Sequence, residues 1–200
     1  MSDEQPAPTA AAEPTGRAGR YSRSAAGLVV SLVVTVLAIG GLLWFMGMFR
    51  SDLEVKPQEV DYLEEVASLQ KSGVDPVYPS SLPDGWIATG VDFVRDDDDA
   101  FGIRMLTGDQ KFAGLRQERS SSTAMLATWV DDTPASTAPY RVPASVRHPV
   151  ARLWEGWKDA GGDTAYSTKV GRTTLLVFGS APAEELQGIV DSLVRGPVKK

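Results

Sequence analysis

The stretch from Thr164 to Val194, TAYSTKVGRTTLLVFGSAPAEELQGIVDSLV, decides how the folded part of this chain is built. Two strand-like runs, Thr164 to Val170 and Arg172 to Gly179, flank Gly171, so the pattern predicts a β-hairpin. Pro182 then begins a predicted helix in which apolar residues recur at three- and four-residue spacing. One face of that helix would carry Leu186, Ile189, Val190, Leu193 and Val194.

Earlier runs of the same kind predict further antiparallel strands, each bounded by turn residues. Ser120 to Trp129 has a helical pattern behind a Ser/Thr cluster, and Asp131 to Pro139 is predicted to be a loop. About six strands and three short helices indicate an α+β fold on an antiparallel sheet, with the helices on one face. The further predicted strands are 86–94, 101–106, 111–118 and 150–157.

The first helix of this region is predicted over Pro57 to Ser72. Proline suits a first helical turn, acidic Glu59 and Asp61 lie near the positive end of the helix dipole, and Gly73 is a helix stop. We expect a juxtamembrane helix within residues 51–73 and an extracytoplasmic α+β domain over residues 74–200.

An uncharged apolar segment, Ala25 to Phe49, lies before this domain. At about 1.5 Å per residue, its apolar core from Leu28 would span the roughly 30 Å of a bilayer interior. A cleaved signal peptide is the alternative, but its apolar core is normally about 7–15 residues and ends in a small-x-small site. The segment therefore predicts an uncleaved, single-pass signal anchor, a transmembrane helix over residues 25–49.

The residues that flank this segment predict its orientation. Arg17, Arg20 and Arg23 precede it, whereas acidic residues dominate after it. The positive-inside rule then places the N-terminus in the cytoplasm and the C-terminal domain outside the plasma membrane. Residues 1–24 have little to bury and are predicted to be a disordered cytoplasmic tail.

The composition excludes several classes of function. The 200 residues include no cysteine and one histidine, so thiol catalysis, disulfides, cysteine zinc sites and two-histidine metal sites are excluded. A net charge of −6 argues against a nucleic-acid binder. There is no phosphate-cradling G-x-G-x-x-G loop. The pattern therefore assigns no catalytic residue, no cofactor and no metal.

Two polar features could carry chemistry. His148 would need an orienting carboxylate and a nucleophile to act in catalysis, and its Arg-His-Pro context favours an exposed loop. The acidic run Asp96 to Asp99 could ligate calcium. It lacks the alternate spacing and the turn glycine of a calcium loop, so a solvated hairpin tip that discourages edge aggregation is favoured.

Four tryptophans could form a sugar-stacking set, but core packing is the favoured interpretation. In the predicted strand 150–157, Trp154 and Trp157 would point to opposite faces, which disfavours a common platform. The set consists of Trp86, Trp129, Trp154 and Trp157.

The order of motifs resembles the actinobacterial membrane-anchored family called domain of unknown function 4245. The resemblance rests on an N-terminal anchor, then Tyr78-Pro79-x-x-Leu82-Pro83-x-Gly85-Trp86, then Gly114-Leu115-Arg116-Gln117 and Trp154-Glu155-Gly156-Trp157, then the apolar strand 175–181 and a helix that ends at Leu193. It implies a single-pass cell-envelope protein with no established activity and brings no catalytic residues.

Two functions follow from this sequence. The first is a non-enzymatic module outside the membrane that binds an envelope protein, a lipid or a wall component. The alternative is a hydrolase of cell-wall or other carbohydrate that uses an Asp/Glu pair. Its candidate carboxylates are Asp92, Glu118 and Glu155, which nothing in the sequence pairs.

Overall fold

The computed structural model describes residues 25–48, 57–95 and 99–199, and in the first helix the side chains of 27–42 and 44. The predicted tail, residues 1–24, lies outside this range. The chain divides into two compact units between Val55 and Lys56. In the first unit, helix α1 (Ala25–Met48) exposes the large apolar side chains that are described. Within the described residues, no helix combines the length and the apolar character that crossing a membrane requires.

The second unit is an α+β fold with antiparallel sheets, as predicted. The described residues form nine strands, not about six. These are β1 (Val77–Pro79), β2 (Ile87–Val94), β3 (Ala100–Leu106), β4 (Phe112–Glu118), β5 (Ala135–Arg141), β6 (Leu153–Lys158), β7 (Thr164–Val170), β8 (Thr173–Gly179) and β9 (Leu193–Arg195). Seven strands form one sheet in the order β2-β3-β4-β8-β7-β6-β5, and β1 pairs with β9 in a second sheet.

The extra strands have physical reasons. β1 and β9 are three residues each, too short to show a period of two in the sequence. β5 occupies the segment that was predicted to be a loop. It is an edge strand that pairs only with β6, and its register shifts between Thr137 and Tyr140. An edge position with a bulge tolerates Pro139, which cannot donate a ladder hydrogen bond.

Three helices accompany the strands, namely α2 (Tyr62–Lys71), α3 (Ser122–Trp129) and α4 (Ala183–Ser192). The prediction that the first of these starts at Pro57 is wrong. The Asp61 carboxylate accepts a hydrogen bond from the Glu64 N–H at 3.1 Å and caps the helix there. The Val60 N–H donates to the Ala88 carbonyl of β2 at 2.8 Å, so this residue bonds to the sheet and not to a helix.

The helices cover both faces of the seven-stranded sheet, so the prediction that they share one face is wrong. β8 explains the difference, because four consecutive apolar residues bury side chains on both sides. Leu175 and Val177 lie in the same core cluster as the apolar residues of α2 and α4, and we call this side the helix-pair face. Leu176 and Phe178 cluster instead with α3. The opposite side also carries Asp92, Arg104 and Arg116, and we call it the arginine face.

Candidate functional site

On the arginine face, Asp92 is held by two arginines. The Arg104 Nε lies 3.2 Å from its carboxylate and the Arg116 Nη2 lies 3.7 Å from it. Glycines make room for both guanidinium groups, because a Cβ on Gly90 would meet Arg104 at 2.4 Å and a Cβ on Gly102 would meet Arg116 at 2.8 Å. The Asp92 carboxylate is therefore engaged in ion pairs with side chains of two neighbouring strands.

Glu118 is engaged by an aromatic residue. It accepts a hydrogen bond from the Trp129 Nε1–H at 2.9 Å, and the Arg116 guanidinium lies 3.7 Å from the centroid of the Trp129 ring. Burial lowers the pKa of Arg116, and the neighbouring Asp92 and Glu118 charges oppose that shift. These contacts fix α3 against the arginine face through a cation–π interaction and a charge-assisted hydrogen bond.

The three candidate carboxylates are not brought together. Glu155 lies on β6, three strands from Glu118 on β4, which at about 4.8 Å per strand is a separation of roughly 14 Å. Asp92 is in register with Gly102 and Arg116, so Glu118 lies two strands across and two residues along the sheet from it, a Cα separation of roughly 12 Å. The Arg116 side chain interacts with both carboxylates. A glycosidase pair needs a separation of about 5–10 Å across a cleft. None of the three lines the cavities described below.

The acidic turn is only partly described. Asp96, Asp97 and Asp98 lie outside the described residues, whereas Asp99 has a positive φ of 44° and pairs with Arg119 at 2.5 Å. Within the described residues, no group of three or more potential metal-ligating side chains comes together. The calcium interpretation of this turn therefore gains no support from Asp99.

Two of the four tryptophans are core residues, and the other two are partly exposed. Trp86 and Trp154 are 9% and 1% exposed and lie in the core of the helix-pair face. Trp129 and Trp157 are partly buried on the arginine face. The opposite orientation of Trp154 and Trp157 is as predicted, and the four rings form no common platform.

A cavity of about 330 Å³ lies along the two-stranded sheet of β1 and β9, and we call it the seam cavity. Its walls combine apolar side chains with basic and hydroxyl groups. His148, which was predicted to lie in an exposed loop, is exposed and contributes to the rim of this cavity. The lining residues are Leu63, Tyr78, Ser80, His148, Val194, Arg195, Pro197, Val198 and Lys199.

The outer wall of the seam cavity is the segment after β9, which Gln70 of α2 holds in place. The Gln70 side chain donates to the Gly196 carbonyl at 2.7 Å and accepts from the Val198 N–H at 3.2 Å. Gly196 turns the chain at a φ of 117°, a conformation that favours glycine. The Tyr78 hydroxyl also donates to the Gly196 carbonyl, at 3.0 Å, and burial raises the pKa of Tyr78.

The two-stranded sheet is itself fixed to the main sheet, which gives the cavity a firm floor. The Val77 N–H donates to the Gln117 side chain of β4 at 2.7 Å, and the Gln117 amide donates to the Asp75 carbonyl at 3.2 Å. Arg195 pairs with the Asp75 carboxylate, with Nη2 at 2.5 Å. These polar contacts join β1 and β9, which line the cavity, to the main sheet and to the segment before β1.

Three other described cavities differ from the seam cavity in their charge. One of about 250 Å³ includes Asp75 and Asp99, and one of about 430 Å³ includes Glu59 and Asp61. A third, of about 210 Å³, combines Phe112, Trp129 and Phe178 with Asp159 and Asp163. Each of these carries carboxylates, whereas the seam cavity has none among its lining residues.

Sequence reasoning missed the seam cavity because its residues come from distant segments. Leu63, Tyr78, His148 and Val198 have no common motif. One signal was available, since Gln70 is a polar residue on the apolar stripe of a predicted helix. A buried amide needs hydrogen-bond partners, so its position indicates that another segment packs there.

The family model described as protein of unknown function (DUF4245) matches residues 20–193. No curated protein and no solved structure is significantly similar to the chain. The chain belongs to the DUF4245 family, as its motifs predicted.

Proposed function

We propose that this DUF4245 protein is a single-pass, membrane-anchored protein of the cell envelope whose C-terminal domain is a non-enzymatic binding module outside the membrane. The anchor is the uncharged run Ala25 to Phe49, with the N-terminus in the cytoplasm. Two features support this orientation, namely the arginines before the run and the acidic residues after it.

One observation carries the binding role. The seam cavity combines mainly apolar walls with a few polar side chains, which are the features of a small-ligand site. Of the carboxylates that a hydrolase would use, Asp92 and Glu118 are instead engaged with Arg104, Arg116 and Trp129, and Glu155 lies three strands away from Glu118.

A photo-crosslinking amino acid at Ser80, on the rim of the seam cavity, tests the binding role in intact membranes. The matched control is the same amino acid at Lys169, an exposed residue of β7 that does not line the cavity. We expect a discrete adduct from position 80 and none from position 169. Equal labelling at both positions, or none at position 80, contradicts a binding site at the seam.

The anchor is tested separately by a carbonate wash of membranes and by sequencing of the N-terminus. We expect the chain to remain in the membrane pellet with its N-terminal residues intact, because an uncleaved apolar helix does not leave the bilayer at high pH. A soluble form that begins between Gly40 and Leu53 would refute the anchor.

A further inference from the structure

We propose that the seam cavity binds an anionic amphiphile, a short apolar chain that ends in one carboxylate or phosphate group. This inference rests on the proposed binding function and names the chemistry of its ligand. Neither the sequence motifs nor membership of the family assigns a ligand to this site.

The apolar walls indicate the apolar chain of the ligand. Leu63 of α2, Val194 of β9 and the tail residues Pro197 and Val198 face the cavity, and all four are aliphatic. At about the 30 Å³ that a water molecule occupies in the liquid, a cavity of about 330 Å³ has room for on the order of ten non-hydrogen groups. That size suits a chain of about eight carbons with a small head group.

The charge of the lining residues indicates the head group of the ligand. From Ser51 onward the chain has 23 acidic and 16 basic residues, yet the cavity is lined by Arg195, Lys199 and His148 and by no carboxylate. Arg195 already faces Asp75, so Lys199 and His148 remain to meet an anion. Within the described residues, neither of them pairs with a carboxylate. A local basic patch in an acidic domain selects an anion and repels a cation.

The lining combines hydrogen-bond donors with aliphatic groups. Lys199, His148 and the Ser80 hydroxyl can donate hydrogen bonds to an anionic head group, and such charge-assisted bonds are the stronger kind. The Tyr78 hydroxyl is already used, because it donates to the Gly196 carbonyl. The ligand chain would then lie along Leu63 and Val198, inside the wall that Gln70 holds.

The test uses the full chain in lipid nanodiscs and octanoate that carries a photoreactive diazirine at its terminal carbon. Peptide mapping after irradiation reports where the chain of the probe lies, which separates the cavity from the bilayer. Unlabelled octanoate and octyl phosphate serve as anionic competitors, octanamide and octylamine as neutral and cationic competitors, and acetate as the anion without a chain.

We expect labelled peptides around Leu63 and Val194 to Val198, and competition by both anionic amphiphiles. Octanamide should compete on the order of tenfold less well, because one charge-assisted hydrogen bond is lost. A stronger competition by octanoate than by octyl phosphate, or the reverse, identifies which head group the site prefers.

Two variants locate the charge. Lys199→Gln should weaken labelling on the order of tenfold, whereas Lys169→Gln, the same loss of charge on β7, should not change it. The Lys199 side chain is exposed, so we expect its replacement to leave the fold intact. Equal competition by octylamine and octanoate, or no labelling at the cavity, overturns the anionic ligand. If the cavity is unlabelled while position 80 still yields an adduct, this inference fails and the binding function stands.

Discussion

On the helix-pair face of the sheet, α2 and α4 cover an apolar layer that includes Ile103, Leu115 and Leu175, all buried. On the arginine face, α3 covers only part of the sheet, and Asp92, Arg104 and Arg116 form a polar row beside it, of which Arg104 is the exposed member. Apolar burial stabilises the first face, whereas ion pairs and glycine spacing shape the second. One sheet can carry an apolar core on one side and a polar surface on the other, because successive side chains of a strand point in opposite directions.

The largest expected difference comes from two tryptophans of β6 that point to opposite faces. Trp154→Ala should lower the free energy of unfolding by about 3–5 kcal/mol, because a fully buried aromatic ring is lost from the helix-pair face. Trp157→Ala, on the arginine face, should cost about 1–3 kcal/mol, since that ring is only partly buried and donates one hydrogen bond to Ser167. Urea denaturation followed by circular dichroism measures both. Equal losses would show that the two faces contribute alike.

A glycine substitution tests how tightly the arginine face is packed. A Cβ on Gly114 would lie 2.7 Å from the Phe178 ring, which is itself packed in place. We expect Gly114→Ala to cost about 1–3 kcal/mol in the free energy of unfolding. Gly90→Ala is the matched control, because its Cβ would meet the guanidinium of Arg104, an exposed side chain that can move aside, and we expect about 1 kcal/mol or less. A larger loss at Gly90 would mean that Arg104 cannot move aside.

A smaller, gradual loss is expected on the helix-pair face at alkaline pH. Burial, together with the Asp191 carboxylate that its hydroxyl contacts at 2.9 Å, raises the pKa of Tyr140 to about 12. Burial also raises the pKa of Tyr62 to about 12, and this hydroxyl donates to the Pro79 carbonyl at 3.0 Å. Both are above the ordinary value of 10.0, so the unfolded chain releases these protons first.

The stability from these two groups is therefore complete below pH 10 and is lost as the pH rises toward 12. The free energy of unfolding measured across this interval should fall less steeply in Tyr140→Phe than in the unchanged chain. An identical slope in the two proteins would show that the Tyr140 proton is not linked to folding.

The smallest effect is expected for the ion pairs of the arginine face. Asp92→Asn should change the free energy of unfolding by less than about 1 kcal/mol, because the pair with Arg104 is exposed to solvent. The difference should shrink further at high salt, which screens exposed charges. A loss of several kcal/mol that persists in salt would make Asp92 a structural residue of the same weight as Trp154.

The local pattern of the sequence determined much of the domain. The hairpin of β7 and β8, the start of α4 after Pro182 and the antiparallel α+β class follow from turn residues and periodicity. These features depend on residues close in the chain, whose spacing alone sets which side chains share a face. The sequence also identified the family, because each motif that carries the resemblance lies within one short segment of the chain.

Only the tertiary structure decided the rest. β1 and β9 become strands because they pair with each other across more than a hundred residues, and β5 becomes a strand because β6 supplies an edge for it. The same holds for the seam cavity, which unites α2, β1, the His148 loop and the tail through the hydrogen bonds of Gln70. A sequence pattern reports what one segment prefers, whereas pairing, packing and a cavity between segments depend on the partners that folding brings beside it.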